Sequence, residues 1–96
     1  MRRCYLVCYD IRAPRRLYRV HKVMKGFGEP WQYSVFFCVL KMIDRVRMQS
    51  ALEAEMNLAQ DKVLILDLGE DERGSREAAT VLGQPLPDVG SRTIVI

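Results

Sequence analysis

The stretch YLVCYDI, from Tyr5 to Ile11, places a carboxylate directly after a run of side chains that favour burial. Aromatic and β-branched residues dominate this region, so residues 3–9 are predicted to form a β-strand. Alternate side chains of a strand point to opposite faces, so Cys8 and Asp10 share one face. Asp10 then stands at the carboxyl end of the strand, either as a turn or capping residue or as a group that does chemistry.

Two further strands and two helices follow. Residues 31–40 and 62–68 are apolar segments bounded by Gly, Pro and Asp, which is typical of strands. A helix begins near Pro14, carries apolar residues at spacings of three and four, and ends at Gly26 and Gly28. A second helix is predicted over about 43–60, and the charged segment 69–78 is predicted to be a loop. The apolar stripe of the first helix consists of Leu17, Val20, Met24 and Phe27.

This order of elements resembles the ferredoxin-like fold, an α+β arrangement β-α-β-β-α-β in which two helices cover one face of an antiparallel sheet. A sheet with one solvated face alternates apolar and polar residues, whereas 35–40 and 63–66 are apolar on both sides. Because 49% of a chain of only 96 residues is apolar, a second copy is the natural cover for that face. We therefore predict a homodimer that packs sheet against sheet, with a domain over 1–82 and a tail over 83–96.

Several classes of protein are disfavoured. No apolar run approaches the roughly 20 residues that span a bilayer, and no signal-peptide cleavage motif follows the N-terminus, which favours the cytoplasm and no membrane partner. Cys4 and Cys8 lie roughly 13 Å apart along a strand and cannot bond to each other. Cys38 falls in another apolar run, and the spacing of the three cysteines does not fit zinc. We expect three buried, reduced thiols.

Charge is distributed unevenly along the chain, although the net charge is only +3. Residues 1–25 contain eight Lys or Arg and one acid, whereas residues 53–88 contain nine acids and three basic residues. A basic N-terminal part provides what a phosphate-binding surface needs, and it is also compatible with ordinary solvated surface. Arg15, Arg19 and Lys22 fall on the face of the first helix opposite its apolar stripe.

Three motifs in this order resemble the CRISPR-associated protein 2 family, the small subunit of the spacer-acquisition machinery. They are a strand that ends in Tyr-Asp-Ile (9–11), an Arg-rich helix closed by Gly-Phe-Gly (26–28), and Gln-x-Ser-Val-Phe-x-Cys (32–38). The similarity covers about residues 3–68. In two places the chain departs from the family: Pro30 and Trp31 stand where several relatives have a basic residue, and Leu17 occupies a position that is basic in some.

The resemblance implies a homodimer in which Asp10 lies near the two-fold axis and faces its twin. It also implies that a short last strand at 93–96 extends onto the partner's sheet. One carboxylate makes a poor magnesium site, whereas two symmetry-related carboxylates with waters make a suitable one. Asp10 is thus implied as the catalytic and metal-binding residue, with one Mg²⁺ shared by both protomers. The lone His21 is interpreted as plain surface or helix flank.

Two functions follow from the resemblance, and the sequence favours the first. In the first, the dimer is an adaptor for acquiring new spacers, which bridges copies of the CRISPR integrase and holds a double-stranded DNA prespacer without reading its sequence. In the second, it is a Mg²⁺-dependent endonuclease acting on RNA or DNA, with Gln32, Ser34 and Phe36 positioning the substrate near Asp10. A third class, a small ligand-binding regulatory domain, is open to this fold but leaves the basic helix unexplained. The predicted nucleic-acid contacts are Arg12, Arg15, Arg16, Arg19, Lys22 and Lys25.

Overall fold

Four strands and three helices make up residues 1–86, the part of the chain that this computed structural model describes. In chain order they are β1 (Arg2–Asp10), α1 (Pro14–Lys25), β2 (Glu29–Gln32), β3 (Val35–Lys41), α2 (Met42–Glu55), β4 (Lys62–Gly69) and α3 (Glu72–Glu77). The strands form one antiparallel sheet in the order β2-β3-β1-β4. This order confirms the predicted ferredoxin-like β-α-β-β-α-β fold, to which α3 adds a short helix. The strand predicted at 93–96 lies outside the described residues.

The helices α1 and α2 cover the same face of the sheet. Every second side chain of β1 and β3 enters this core, as the period of two in a strand requires. The apolar stripe predicted for α1 is confirmed, since Val20 and Met24 are fully buried and Leu17 and Phe27 pack against the core. The buried members of the core include Tyr5, Val7, Tyr9, Phe36, Cys38, Leu40, Val20, Met24, Met48 and Leu52.

The opposite face of the sheet is apolar and only partly covered. On β4, Leu64, Leu66 and Leu68 are 54%, 40% and 40% exposed. Across the ladder with β1, Leu66 is opposite Leu6 and Leu64 is opposite Cys8. A row of exposed leucines marks an interaction surface rather than a solvated sheet. We call the surface formed by Leu6, Cys8, Leu64, Leu66 and Leu68 the open face.

The helix α3 covers another part of that side of the sheet. It begins at Asp71, whose Oδ1 accepts a hydrogen bond from the backbone N–H three residues on, at 2.8 Å. Arg76 then donates to both carboxylate oxygens of Glu29, at 2.7 and 2.8 Å, and its guanidinium lies 4.6 Å from the centre of the Phe37 ring. The sequence instead predicts a charged loop over 69–78. That prediction is wrong because Arg76 finds its partner 47 residues away along the chain.

The single strand predicted over 31–40 is two strands, β2 and β3, joined by a turn at Tyr33 and Ser34. The backbone N–H of Tyr9 donates to the backbone oxygen of Ser34 at 3.0 Å. This bond ties the turn to the carboxyl end of β1, where Asp10 lies. The turn contains no Gly, Pro or Asn, the residues that usually signal a hairpin, which is why the pattern of apolar residues concealed it.

The helix α2 also differs from its prediction, because it ends at Glu55 and not near residue 60. Met56 already has an extended backbone, with φ −85° and ψ 157°. Beyond it, the carboxylate of Asp61 accepts the backbone N–H of Asn57 at 2.8 Å. This bond holds a turn in place of the next helical residues.

Candidate functional site

Asp10 is the last residue of β1, and its side chain is exposed. Its backbone is in register with Lys62 of β4, so the strand continues to this residue. Strand alternation directs the side chain to the face of Cys8, away from the buried ring of Tyr9. Within residues 1–86, Asp10 makes no side-chain hydrogen bond and no ion pair. The carboxylate is therefore available to a ligand and does not act as a turn or capping group.

The metal-binding capacity of one protomer is small. Among the described residues, 1–86, no three His, Cys, Asp or Glu side chains cluster closely enough to hold a metal ion. Magnesium prefers octahedral oxygen ligands and commonly takes one or two carboxylates together with waters and substrate phosphates. Asp10 fits such a site as one of two carboxylates, or as a single carboxylate beside a phosphate. It does not fit a site built by a single protomer alone.

Most of the predicted phosphate contacts lie on the exposed side of α1. Arg15, Arg19, Lys22 and Lys25 are all exposed, on the side of the helix opposite Val20 and Met24. Arg12 precedes the helix and its side chain is exposed as well, while its backbone N–H donates to Asp61 at 2.8 Å. These five residues, Arg12, Arg15, Arg19, Lys22 and Lys25, form what we call the basic face.

Arg16 differs from the other predicted contacts because it is already engaged within the fold. Its Nε donates to Oδ2 of Asp61 at 2.8 Å, and its Nη2 donates to Oδ1 at 3.1 Å and to the side-chain oxygen of Gln60 at 3.0 Å. The side chain of Asp61 is completely buried in this contact, and that of Arg16 is 22% exposed. The guanidinium of Arg16 holds the pKa of Asp61 well below its usual range. Arg16 joins the start of α1 to the loop before β4.

The structure separates the three residues that the sequence placed together as substrate-positioning groups. Gln32 is exposed at the end of β2, Ser34 lies in the turn, and Phe36 is fully buried in the core. They do not share one strand face, because the turn at Tyr33 and Ser34 interrupts the strand. Ser34 alone lies beside the end of β1, through its backbone bond to Tyr9. Phe36 takes part in packing and offers no surface to a substrate.

An aromatic cluster next to this turn was missed by the sequence reasoning. The hydroxyl of Tyr9 donates to the backbone oxygen of Tyr33 at 2.6 Å, and Nδ1 of His21 lies 3.0 Å from both of these oxygens. The ring of His21 stacks on that of Tyr33, with centroids 4.0 Å apart and an angle of 2° between the planes. The only sequence signal was Tyr9 itself, since a buried tyrosine hydroxyl needs a hydrogen-bond partner. His21 is thus part of the structure and not plain helix surface.

Two of the three cysteines are buried, as predicted, and none is poised for chemistry. Cys4 and Cys38 are buried, whereas Cys8 is half-buried on the open face, so the prediction of three buried thiols is wrong for Cys8. Burial raises the pKa of Cys38 to about 12, and it also raises the pKa values of Cys4 and Cys8. Because thiolates are the reactive form of cysteine, these thiols are structural.

Among the described residues, no helix is long and apolar enough to cross a bilayer.

The chain is similar to a known family over most of its length. Residues 2–76 match the family described as CRISPR associated protein Cas2. A protein of Geobacter sulfurreducens named CRISPR-associated endoribonuclease Cas2 is 43% identical over 81 residues, which cover 84% of this chain and 85% of that protein. A protein of Rhodospirillum rubrum named CRISPR-associated endoribonuclease Cas2 1 is 47% identical over 68 residues, which cover 71% of this chain and 67% of that protein.

Solved structures show the same fold. Cas2 of Streptococcus pyogenes, crystallised at pH 6.5, superposes with a TM-score of 0.74 at 26% sequence identity, covering 83% of this chain and 99% of that one. A protein of Thermus thermophilus described as hypothetical, TT1823, superposes with a TM-score of 0.75 at 29% identity, covering 92% of this chain and 100% of that one. The four-stranded sheet and its helices are therefore shared with proteins of nearly the same length.

Proposed function

The chain belongs to the CRISPR-associated protein Cas2 family, and on that premise we propose that it is a Mg²⁺-dependent endoribonuclease that acts as a homodimer. The observation that carries the proposal is Asp10, an exposed carboxylate that has no side-chain partner within residues 1–86. The relatives described above are named endoribonucleases. This ranking of the two candidate functions reverses the one that the sequence favoured, in which the adaptor function came first.

The dimer follows from the open face. Its leucines and half-buried Cys8 leave apolar area exposed that a second protomer would cover. A two-fold interface uses the same patch on both copies, and Asp10 follows Cys8 on the same side of β1. A symmetry axis near the end of β1 then brings two carboxylates together. Two carboxylates that approach closely repel each other unless a cation or a proton lies between them, which favours a shared ion at this position.

The Mg²⁺ ion and the residues of the chain have separate roles in the proposed reaction. A bound Mg²⁺ would lower the pKa of a coordinated water and neutralise charge that develops on the phosphate oxygens. Asp10 and its twin would provide hard oxygen ligands, while the basic face would hold neighbouring phosphates by charge alone. In the proposed dimer, the apolar open face would exclude water around the carboxylates and so strengthen their attraction for a cation. Each role belongs to a residue that is exposed or surface-facing in one protomer.

The test is a cleavage assay with purified protein on labelled single-stranded RNA, single-stranded DNA and duplex DNA, with Mg²⁺ or with EDTA. We expect Mg²⁺-dependent cleavage of RNA that is abolished in Asp10→Asn, because an amide keeps the shape of the carboxylate without its charge. The matched control is Asp44→Asn, since Asp44 is an acid on α2 that pairs weakly with Arg47 at 3.6 Å. Cleavage by Asp10→Asn at the wild-type rate would end the proposal, and cleavage of DNA alone would change the substrate.

A second candidate is the adaptor for spacer acquisition, and the basic face is the observation that favours it. Five exposed basic side chains on one side of the protomer are suited to binding duplex DNA without reading its sequence. In this role the dimer bridges copies of the CRISPR integrase. The two functions separate experimentally, because Asp10→Asn should retain duplex binding and co-elution with the integrase even when cleavage is abolished. Loss of both in that variant would argue against an independent adaptor role.

We place both activities in the cytoplasm. All three cysteines are free thiols, which is the state that a reducing compartment maintains. Both candidate partners, RNA and DNA, are present there. Cell fractionation checks this placement. We expect the protein in the soluble fraction, and its recovery in the membrane fraction would contradict the placement.

A further inference from the structure

We propose that the exposed ring of Tyr33 is a stacking subsite for one unpaired base of a single-stranded nucleic acid. The inference rests on the proposed function in one respect, namely that the ligand is a nucleic acid. It adds a residue that neither the motifs nor the relatives' names point to, and it predicts a preference for single strands that depends on that residue.

Within residues 1–86, the ring of Tyr33 has one ring partner. It stacks on the imidazole of His21 with the planes 2° apart, yet the residue remains 54% exposed. Trp31, two residues earlier, provides a contrast. Its indole stacks on Phe37 at 4.9 Å and its Nε1–H donates to Glu29 at 3.1 Å, so both its ring and its polar atom have partners inside the fold. Tyr33 is the aromatic residue of this hairpin that retains a face for an external ring.

The position of Tyr33 is fixed before any ligand arrives. Its backbone oxygen accepts the Tyr9 hydroxyl at 2.6 Å, and Nδ1 of His21 lies 3.0 Å from the same oxygen. His21 is itself held by an edge contact with Phe36, with centroids 5.4 Å apart. The next residue, Ser34, is bonded through its backbone to Tyr9. Because the turn and the ring are both ordered, a stacked base gains contact area without the cost of ordering a loop.

Positive charge lies beside this ring. His21 is on α1, and residues three or four positions apart on a helix are neighbours on its surface. The neighbours of His21 on the exposed side are therefore Tyr18 and Lys25, and Lys22 follows it directly. A strand whose phosphates run along the basic face thus passes within reach of Tyr33. Proteins that bind single strands combine these two elements, a basic track and an aromatic ring on which a base stacks.

The preference for single strands follows from the geometry of stacking. Bases inside a duplex have both faces covered by their neighbours and cannot stack on a protein ring without unpairing. A single strand offers unstacked bases at no such cost. The same turn is bonded to the residue before Asp10, so a base held on Tyr33 keeps its strand at the end of the sheet where the carboxylate lies.

The experiment measures binding in EDTA, so that no cleavage occurs, by fluorescence anisotropy of a labelled 15-nucleotide single strand and of the matched duplex. We expect Tyr33→Ala to weaken single-strand binding by roughly 5- to 150-fold, the range for one stacked base. We expect it to leave duplex binding unchanged. The salt dependence of binding should not change either, because the ring of Tyr33 carries no charge to pair with a phosphate. Tyr33→Phe, which keeps the ring, should bind like wild type.

Two controls make the result specific. Tyr18→Ala removes a tyrosine that is 63% exposed and that has no ring partner within residues 1–86, and it should leave binding within about twofold. Tyr33→Leu keeps an apolar cover over His21 but has no aromatic face, so it should lose single-strand affinity while remaining folded. A strand that carries 2-aminopurine should lose fluorescence when it binds to wild type or Tyr33→Phe, and keep it with Tyr33→Leu.

The proposal is overturned if Tyr33→Leu binds the single strand like wild type, or if its affinities for the duplex and the single strand fall equally. It is also overturned if Tyr18→Ala causes the same loss. These outcomes are independent of catalysis, because Asp10→Asn should bind the single strand normally. A protein that cleaves RNA but shows no role for Tyr33 would leave the nuclease proposal standing and remove the subsite.

Discussion

The ion pair of Arg16 with Asp61 joins the start of α1, where the basic face begins, to the loop before β4. The carboxylate is completely buried and accepts four hydrogen bonds, two from the guanidinium and two from the backbone N–H groups of Arg12 and Asn57, all between 2.8 and 3.1 Å. Two adjacent arginines therefore have different roles, since Arg15 faces solvent and Arg16 faces the protein.

These neighbouring arginines provide a matched pair of variants. We expect Arg15→Ala to weaken duplex DNA binding and to lower the salt slope by roughly 0.9, the amount that one phosphate neutralised by the protein adds to it, with little change in melting temperature. Arg16→Ala should instead lower the melting temperature, because it leaves a buried carboxylate without its main partner. It should have little effect on the salt slope. Anisotropy titrations at several salt concentrations and thermal melts of both variants check the prediction. Equal effects on the salt slope would show that Arg16 also contacts phosphate.

The stability contributed by Asp61 should depend on pH. Its pKa is depressed in the folded state, mainly by the Arg16 guanidinium, so its stabilising effect is present above the ordinary aspartate pKa of about 3.9 and disappears as the pH falls below it. We expect Asp61→Asn to melt at a lower temperature than wild type at pH 7, and this difference to narrow below about pH 4. Melts across this range check it. The ion pair of Arg3 with Asp67 is present in both proteins and cancels in the comparison.

The open face is predicted to hold the dimer together. Leu66→Lys places a charge in the middle of that apolar surface, opposite Leu6, and should give a folded protein with the mass of one chain and little or no cleavage activity. The control is Val46→Lys, because Val46 is an apolar residue of α2 that is 52% exposed and lies away from the open face. Light scattering behind a sizing column measures both. A dimeric Leu66→Lys would place the interface elsewhere.

Gly28 should be intolerant of a side chain. A Cβ atom at this position would lie 2.6 Å from the backbone oxygen of Phe37 and 2.5 Å from Sγ of Cys38, because the segment between α1 and β2 passes close to β3. We expect Gly28→Ala to cost about 1–3 kcal/mol in unfolding free energy, as overpacking does. Gly26→Ala is the control, since its φ of −84° suits alanine and its nearest contact is 3.3 Å. Urea denaturation of both variants measures the difference.

The sequence predicted the features that local patterns encode. Strand alternation placed Asp10 and Cys8 on one face, and helical spacing separated the stripe of Val20 and Met24 from the basic face. The order of elements then predicted the ferredoxin-like sheet. These predictions held because the periods of two and 3.6 depend on the backbone and not on distant contacts.

Several of the features that were missed depend on contacts between distant parts of the chain. The helix α3 follows from Arg76 and its partner on β2, and the role of Arg16 depends on an acid 45 residues away. The position of His21 depends on the turn at Tyr33. Helical spacing puts Arg16 four residues before Val20, on the side of the apolar stripe, and puts Arg15 on the opposite side. What the sequence does not reveal is the partner of Arg16, the distant carboxylate of Asp61.

At the end of β1, the fold and the chemistry are assigned to adjacent residues that point in opposite directions. Tyr9 supports the core and the hairpin, whereas Asp10 supports nothing within residues 1–86. A lineage that inherits this strand can therefore lose the carboxylate by a single substitution and keep a protein of the same shape, the same basic face and the same capacity to pair with itself. Natural selection could thus remove the proposed cleavage activity from such a protein, or restore it, independently of the proposed use as a scaffold for DNA.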